Sequence, residues 1–422
     1  MAYISSTAEN DAGSTTQEVS RPYAWIVFAV CFGLLISDYM SRQVLNAVFP
    51  LLKAEWSLSD ARLGLLSGIV ALMVGLLTFP LSLLADRWGR VRSLALMAVL
   101  WSLATLGCGL AENYNQMFLA RFLVGVGEAA YGSVGIAVVL SVFPRHLRAT
   151  LTGAFMAGGM FGSVLGIALG GAIAAAIGWR WAFGSMALFG LVLSAICFVV
   201  VRETRGPARP GAVRTPLKSL FKGRALCVTY VASGLQLFAG GACIVWMPSF
   251  MARFYGLGPD KAGASAALVV LASGAGMVLC GMFSDRMSRS EHSRKAALAA
   301  GYSLASALLL TAAFLLPHGA AQLVLIGLGM FFAAGGSGPA GAIVADLSPL
   351  AIHGTAFATL TLANNLLGLA PGPFLTGLMA DHIGLDKAFQ VLPLASLLSV
   401  GLFLYVYRHY ANDAVQAARD HA

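Results

Sequence analysis

Charge is what this chain has least of. Asp, Glu, Lys and Arg make up 11% of its 422 residues, where a soluble domain carries about 25%. So few ionisable groups cannot cover the surface of a water-soluble fold this long, which excludes that class. Lysine is rarer still. None of the six (Lys53, Lys218, Lys222, Lys261, Lys295, Lys387) follows a glycine, so no GK[ST] phosphate loop exists and an ATP-driven pump is excluded. The seven histidines show no HExxH spacing, and no two of the six cysteines form a CxxC pair. With neither metal ligands nor a nucleophile–base set, an enzyme is not expected, and no cofactor or metal is. The cysteines sit in apolar runs and read as small packing residues. Side-chain amides within those runs are few: Asn46, Gln236, Asn364 and Asn365 are the clear ones. A polyol would find too few partners there, at about 1–3 kcal/mol for each missing hydrogen bond.

What the chain does have is apolar surface and glycine, at 58% hydrophobic residues and 48 Gly. A membrane helix needs about 20 mostly apolar residues. Twelve such spans follow one another: 23–49, 61–83, 93–112, 115–142, 148–177, 180–201, 224–252, 262–283, 295–316, 320–345, 353–379 and 386–407. An even number puts both termini on one side. Lys and Arg favour the loops on that side by about three to one, which makes it the cytoplasmic side, at the inner membrane. The same bias explains the net charge of +9 without nucleic acid. The expected fold is therefore an all-α membrane protein of twelve transmembrane helices. Its parts are a tail over 1–22, a six-helix bundle over 23–201, a basic linker over 202–223, a second bundle over 224–408 and a tail over 409–422.

The two bundles repeat each other. Asp86-Arg87-Trp88-Gly89-Arg90 after the second span returns as Asp285-Arg286-Met287-Ser288-Arg289 after the eighth, and Arg62-Leu63-Gly64 returns as Lys261-Ala262-Gly263 at the same offset. Arg148-Ala149-Thr150 corresponds to His353-Gly354-Thr355, and Ala182-Phe183 to Ala388-Phe389. Four matches in order define two parallel repeats related by an axis along the membrane normal.

Ionisable groups at membrane depth are costly enough to propose a function by themselves. Four lie well inside the spans: Asp38 and Arg42 in the first, Arg121 and Glu128 in the fourth. Each pair shares a helix face. A rise of about 1.5 Å per residue puts the arginines at one level and the carboxylates at a deeper one. Their formal charges cancel, as a buried set requires. One reading is a salt-bridge lock between two helices. The other is that Glu128 and Asp38 take up protons while Arg42, Arg121 or both bind an anionic group. Tyr39 and Tyr131 beside them, and Gln236 and Trp246 in the seventh span, complete the candidate substrate site.

Three motifs resemble those of a known family. Ser82-Leu-Leu-Ala-Asp86-Arg87-Trp-Gly89-Arg90 resembles the loop between helices 2 and 3 of the major facilitator superfamily. Arg121-Phe-Leu-Val-Gly125-Val-Gly127-Glu128 is similar to its helix 4 motif, and Gly178-Trp179-Arg180-Trp181-Ala-Phe183 to its step into helix 6. Gly127-Glu128-Ala129-Ala130-Tyr131-Gly132 looks most like the spinster-type branch, while an Arg with a Glu seven residues on is also similar to organic anion:cation symporters. The resemblance implies the major facilitator fold, with helices 1 and 4 lining a central cavity, and alternating access. It also implies a cytoplasmic gate at Asp86, Arg87 and Arg90, echoed by Asp285, Arg286 and Arg289. Ser82 replaces the family's usual glycine. Ser41 stands where related families often place an acid before the helix 1 arginine, which leaves Glu128 as the better protonatable group.

The expectation is a monomeric secondary carrier, driven by the proton gradient, for an organic anion with an apolar body. Alternatives are a spinster-like carrier of lysolipids or sphingoid amphiphiles, a drug efflux pump, and a transporter-like sensor that binds without flux.

Overall fold

A computed structural model describes residues 21–144, 147–203, 223–289, 291–348 and 353–419. Most of the expected tail over 1–22 and linker over 202–223 lies outside them. The helices, in order, are α1 (Arg21–Trp56), α2 (Asp60–Trp88), α3 (Arg90–Leu110), α4 (Tyr114–Glu128), α5 (Tyr131–Val142), α6 (Arg148–Ile177), α7 (Trp179–Val200) and α8 (Arg224–Tyr255). The second half continues with α9 (Pro259–Met287), α10 (Arg294–Leu315), α11 (Ala320–Gly335), α12 (Ser337–Leu347), α13 (His353–Ala363), a π-helix (Asn364–Leu369), α14 (Pro371–Ile383), α15 (Leu385–Val391) and α16 (Pro393–Arg419). No strand occurs among the described residues.

Among the described residues eleven helical stretches are long and apolar enough to cross a membrane, with α4 and α5, α11 and α12, and α15 and α16 each counted as one. The one expected span that is not among them, the eleventh at 353–379, is broken into α13, the π-helix and α14. Pro371 and Pro373 have no N–H to give the carbonyls one helical turn before them. The chain answers by widening, and the Ala370 N–H reaches back five residues to the Asn365 carbonyl at 2.9 Å.

Local signals fix the ends. The Ser59 hydroxyl accepts from the Arg62 N–H at the start of α2, and Asn113 accepts from the Gln116 N–H at the start of α4. Gly89 turns the chain between α2 and α3 at φ 105°, a left-handed conformation that favours glycine. Its repeat counterpart Ser288 sits at φ −100°, so the second copy of the motif makes its turn without needing a glycine.

The face carrying the start of α1 and the end of α16 is the terminal face, and the opposite one the distal face. The core shows how the halves meet. One apolar cluster runs through both, from Met40, Val44 and Phe49 of α1 to Trp246, Phe250 and Phe389 of the second half. Toward the terminal face this core divides. Cys31, Leu34 and Trp101 belong to a cluster of the first half alone, and Leu226, Ile343 and Tyr410 to one of the second half alone. The halves are packed together distally and separate terminally. At the seam α6 runs along α9 and α2 along α14. A methyl group at Gly64 of α2 would run into the Pro373 carbonyl, and one at Gly377 of α14 into the Asp60 carbonyl. Reciprocal glycines thus let the two backbones touch.

Candidate functional site

The core divides in the interval between Leu35 and Met40 of α1, and Asp38 lies in that interval. The fourth span is interrupted at the same level, at Ala129–Ala130, directly after Glu128. Thr78 donates to the Ala129 carbonyl there at 2.6 Å, and the Ala130 carbonyl accepts both the Val134 N–H at 3.0 Å and the Ser133 hydroxyl at 2.9 Å. The tenth span, its repeat counterpart, is interrupted at Gly335–Gly336. In α8 the Gln236 amide donates to the Ala333 carbonyl near that break, at 3.3 Å. Its own Oε1 has no partner among the described residues.

The structure brings Asp38, Tyr39, Arg42, Arg121 and Glu128 together but gives the two arginines different surroundings. Arg42 Nε lies 2.7 Å from Glu128 Oε2 and 3.6 Å from Asp38 Oδ1. These are charge contacts without hydrogen-bond alignment, and among the described residues neither Glu128 oxygen accepts a hydrogen bond. The guanidinium lies 5.2 Å from the centre of the Tyr39 ring, within cation–π range. That ring packs against Gly159 of α6, which explains part of the glycine run in that helix.

Arg121, 1% exposed, is spent on the main chain. Its Nη1 donates to the Ser41 carbonyl at 3.0 Å, Nη2 to the Arg42 carbonyl at 3.4 Å and Nε to the Leu66 carbonyl at 3.3 Å. It holds α1 and α2 against α4 at the point from which Arg42 projects. Access separates the four groups. The Glu128 side chain is 0% exposed and that of Asp38 4%, whereas Arg42 keeps 21%. Arg42 is the reachable member.

Two expected substrate residues lie away from this group. Tyr131 is fully buried in the first half's terminal cluster, edge-to-face with Trp101 at 5.0 Å between ring centres, and its hydroxyl donates to the Cys31 carbonyl at 2.6 Å. Trp246 is sealed in the distal seam against Phe49, donating to the Pro373 carbonyl at 2.9 Å. Asn365 donates to the Thr361 carbonyl, and its Oδ1 is without a partner among the described residues.

The motif residues lie on the terminal face. Asp86 pairs with Arg90, one turn on, at 2.8 Å. The Glu203 carboxylate accepts from the Arg90, Val91 and Arg92 N–H groups, capping α3. Asp285, Arg286 and Arg289 are exposed and have no hydrogen-bond or ion-pair partner among the described residues. Between described residues, no bond of the motif crosses from one half to the other.

The crossing bonds are on the distal face, among charges that sequence reasoning left as span ends. Arg253 of α8 grips Asp60 of α2 with both ends of its fork, Nη1 to Oδ2 at 2.7 Å and Nη2 to Oδ1 at 2.6 Å. Lys53 adds a contact to Asp60 at 2.6 Å. Asp381 of α14 accepts the first two amides of α2, Asp60 N–H at 2.7 Å and Ala61 N–H at 2.8 Å. A sequence signal for this site exists: a base followed seven residues later by an acid flanks the same turn of each repeat, Lys53/Asp60 and Arg253/Asp260.

The chain is similar to several carriers. It is 28% identical to protein spinster homolog 3 of Danio rerio over 56% of this chain and 50% of that one. It thus spans only half that relative's length. It is 27% identical to the sphingosine-1-phosphate transporter SPNS2 of Danio rerio over 91% of this chain and 84% of that one. With a probable L-galactonate transporter of Escherichia coli it shares 25% over 71% of each. Among solved structures, a bacterial homolog of the human lysosomal transporter Spinster, inward-facing and unoccupied, superposes with a TM-score of 0.80 at 21% identity, covering 93% of this chain and 99% of that one. Residues 31–370 match the family model of the Major Facilitator Superfamily. Two six-helix repeats, interrupted fourth and tenth spans and that match agree: the chain belongs to the Major Facilitator Superfamily of membrane transporters.

Proposed function

We propose that this carrier works by alternating access and couples a proton to a small organic anion with an apolar body, through Arg42 and Glu128. One observation carries the reading. Arg42 makes its nearest approach to both carboxylates through Nε, and its two terminal nitrogens donate no hydrogen bond among the described residues. A guanidinium held from behind, with its fork free, suits bidentate capture of a carboxylate or phosphate.

Charge balance supplies the coupling. Asp38, Arg42, Arg121 and Glu128 sum to zero. An anion entering alone would leave one uncompensated charge in a low-dielectric site, whereas an anion with a proton on Glu128 keeps the sum at zero. The proton also removes the charge that competes with substrate for Arg42. In this reading Arg121 holds the helices that present Arg42 and does not itself grip substrate. Both termini face the cytoplasm at the inner membrane, the chain acts as a monomer, and the gradient is its energy source.

The relatives favour an anionic group but two different bodies, a sugar acid in one name and a sphingoid phosphate in another. Coverage of the sphingosine-1-phosphate transporter keeps the amphiphile as the second reading. Proteoliposomes with an imposed proton gradient, tested with labelled benzoate as an anion with an apolar body and labelled sphingosine-1-phosphate, separate the two, and L-galactonate serves as the polyol control. Gradient-driven uptake of either that Glu128→Gln abolishes while counterflow persists supports the coupling. Equal loss of both activities overturns it.

A further inference from the structure

We infer that the contacts of Asp60 with Arg253 and of Asp381 with the α2 N-terminus form the lock of the distal gate, made and broken once per transport cycle. The inference takes from the proposed function only that the two halves rock against each other, and nothing about substrate or proton.

The observations are independent of the buried quartet. Asp60 and the start of α2 belong to the first half, Arg253 and Asp381 to the second, and the hydrogen bonds and ion pairs joining described residues of the two halves are gathered here. The arrangement is reciprocal. The first half offers a carboxylate to an arginine of the second, and the second offers a carboxylate to the helix end of the first. Each contact suits its task. A bidentate arginine–carboxylate pair is directional, so a small rotation between halves breaks both bonds together. The carboxylate at the α2 N-terminus answers two amides that otherwise lack partners as well as the helix dipole. Asp60 is 2% exposed, so water does not weaken the pair while the gate is shut. The lock also sits where rocking must act. The Asp60 carbonyl lies over Gly377 and the Pro373 carbonyl over Gly64, so α2 and α14 cannot separate distally without parting these groups. Between described residues at the terminal face the ion pairs stay within one half, Asp86–Arg90 in the first and Arg294–Glu291 and Lys295–Asp346 in the second.

The test needs no ligand. Spin labels at Glu112→Cys and Lys387→Cys, exposed distal positions of the first and second half, report the gap by pulsed electron resonance on the full chain in lipid nanodiscs. The chain without introduced cysteines gives the background. One short distance is expected for the parent. Asp60→Asn and Arg253→Gln should each raise the ratio of long to short distances by roughly tenfold, and Arg253→Lys, which keeps the charge but not the fork, by less. If a variant at Asp60 or Arg253 does not fold, Asp381→Asn, which alters an exposed side chain, is expected to lengthen the distance alone. A distribution unchanged from the parent in the folded variants overturns the lock. Because neither anion nor gradient is present, the outcome stands whether or not Glu128 carries the proton.

Discussion

Arg42 and Glu128 meet at 2.7 Å through Nε and Oε2, a contact that leaves the far end of the guanidinium free. The carboxylate holds the arginine without occupying the edge that suits a ligand. Glu128→Gln should therefore release Arg42 permanently. Accumulation driven by a proton gradient is expected to vanish, while half-saturation for counterflow falls by about tenfold, or 1.4 kcal/mol, and loses its dependence on pH. A pH series of counterflow on wild type and variant checks this. Dependence equal to wild type would show that the proton site lies elsewhere.

Arg121 makes the opposite prediction. Its bonds go to the carbonyls of Ser41, Arg42 and Leu66, so truncation removes a three-helix tie. Arg121→Ala is expected to destabilise the chain by about 2–4 kcal/mol, since a hydrogen bond from a charged group is worth about 1.5–3 kcal/mol, only the one to Ser41 is as short as 3.0 Å, and the carbonyls keep their helical partners. Thermal unfolding in detergent measures it. An unchanged melting temperature together with lost anion binding would instead make Arg121 a substrate contact.

The two copies of the loop motif should respond differently to the same substitution. Gly89 holds φ at 105°, whereas Ser288 sits at −100°. Gly89→Ala is expected to cost about 1–2 kcal/mol for the left-handed conformation, and Ser288→Ala well under that. Paired melting curves decide, and equal shifts would mean that the turn at Gly89 relaxes easily.

At the distal seam, Gly377→Ala places a methyl against the Asp60 carbonyl. The second half cannot close on α2 without moving by the width of that group. Counterflow is expected to slow about tenfold or more, as a misplacement of about 1 Å can, with the folded fraction unchanged in gel filtration. Wild-type counterflow would show that the seam repacks.

Much of this was legible in the chain itself. Twelve spans, two repeats and the buried set of Asp38, Arg42, Arg121 and Glu128 follow from hydropathy, spacing and charge, because lipid punishes any other placement of those residues. The division of labour between the arginines was not. Two arginines at one depth look alike until the carbonyls of Ser41, Arg42 and Leu66 are seen turned toward one of them. The tie between Asp60 and Asp381 spans 321 residues, and each acid alone resembles an ordinary helix-end charge. The break in the eleventh span was half-visible in Pro371 and Pro373, but proline says only that a helix is disturbed, not that it widens. The turn at Ser288 lay hidden because a non-glycine residue there reads as a weakened motif, when it marks a different backbone path.

The apolar core that is single near one face and forked near the other makes the two shapes of this carrier unequal. Parting the distal side wets a shared oily wedge, and nothing in the first half's terminal packing offsets that loss. Among the described residues Asp285, Arg286 and Arg289 have no hydrogen-bond or ion-pair partner on the terminal rim, and engaging the opposite half when the fork shuts would offset that loss. The resting chain thus holds its unused pairings on the side that is open.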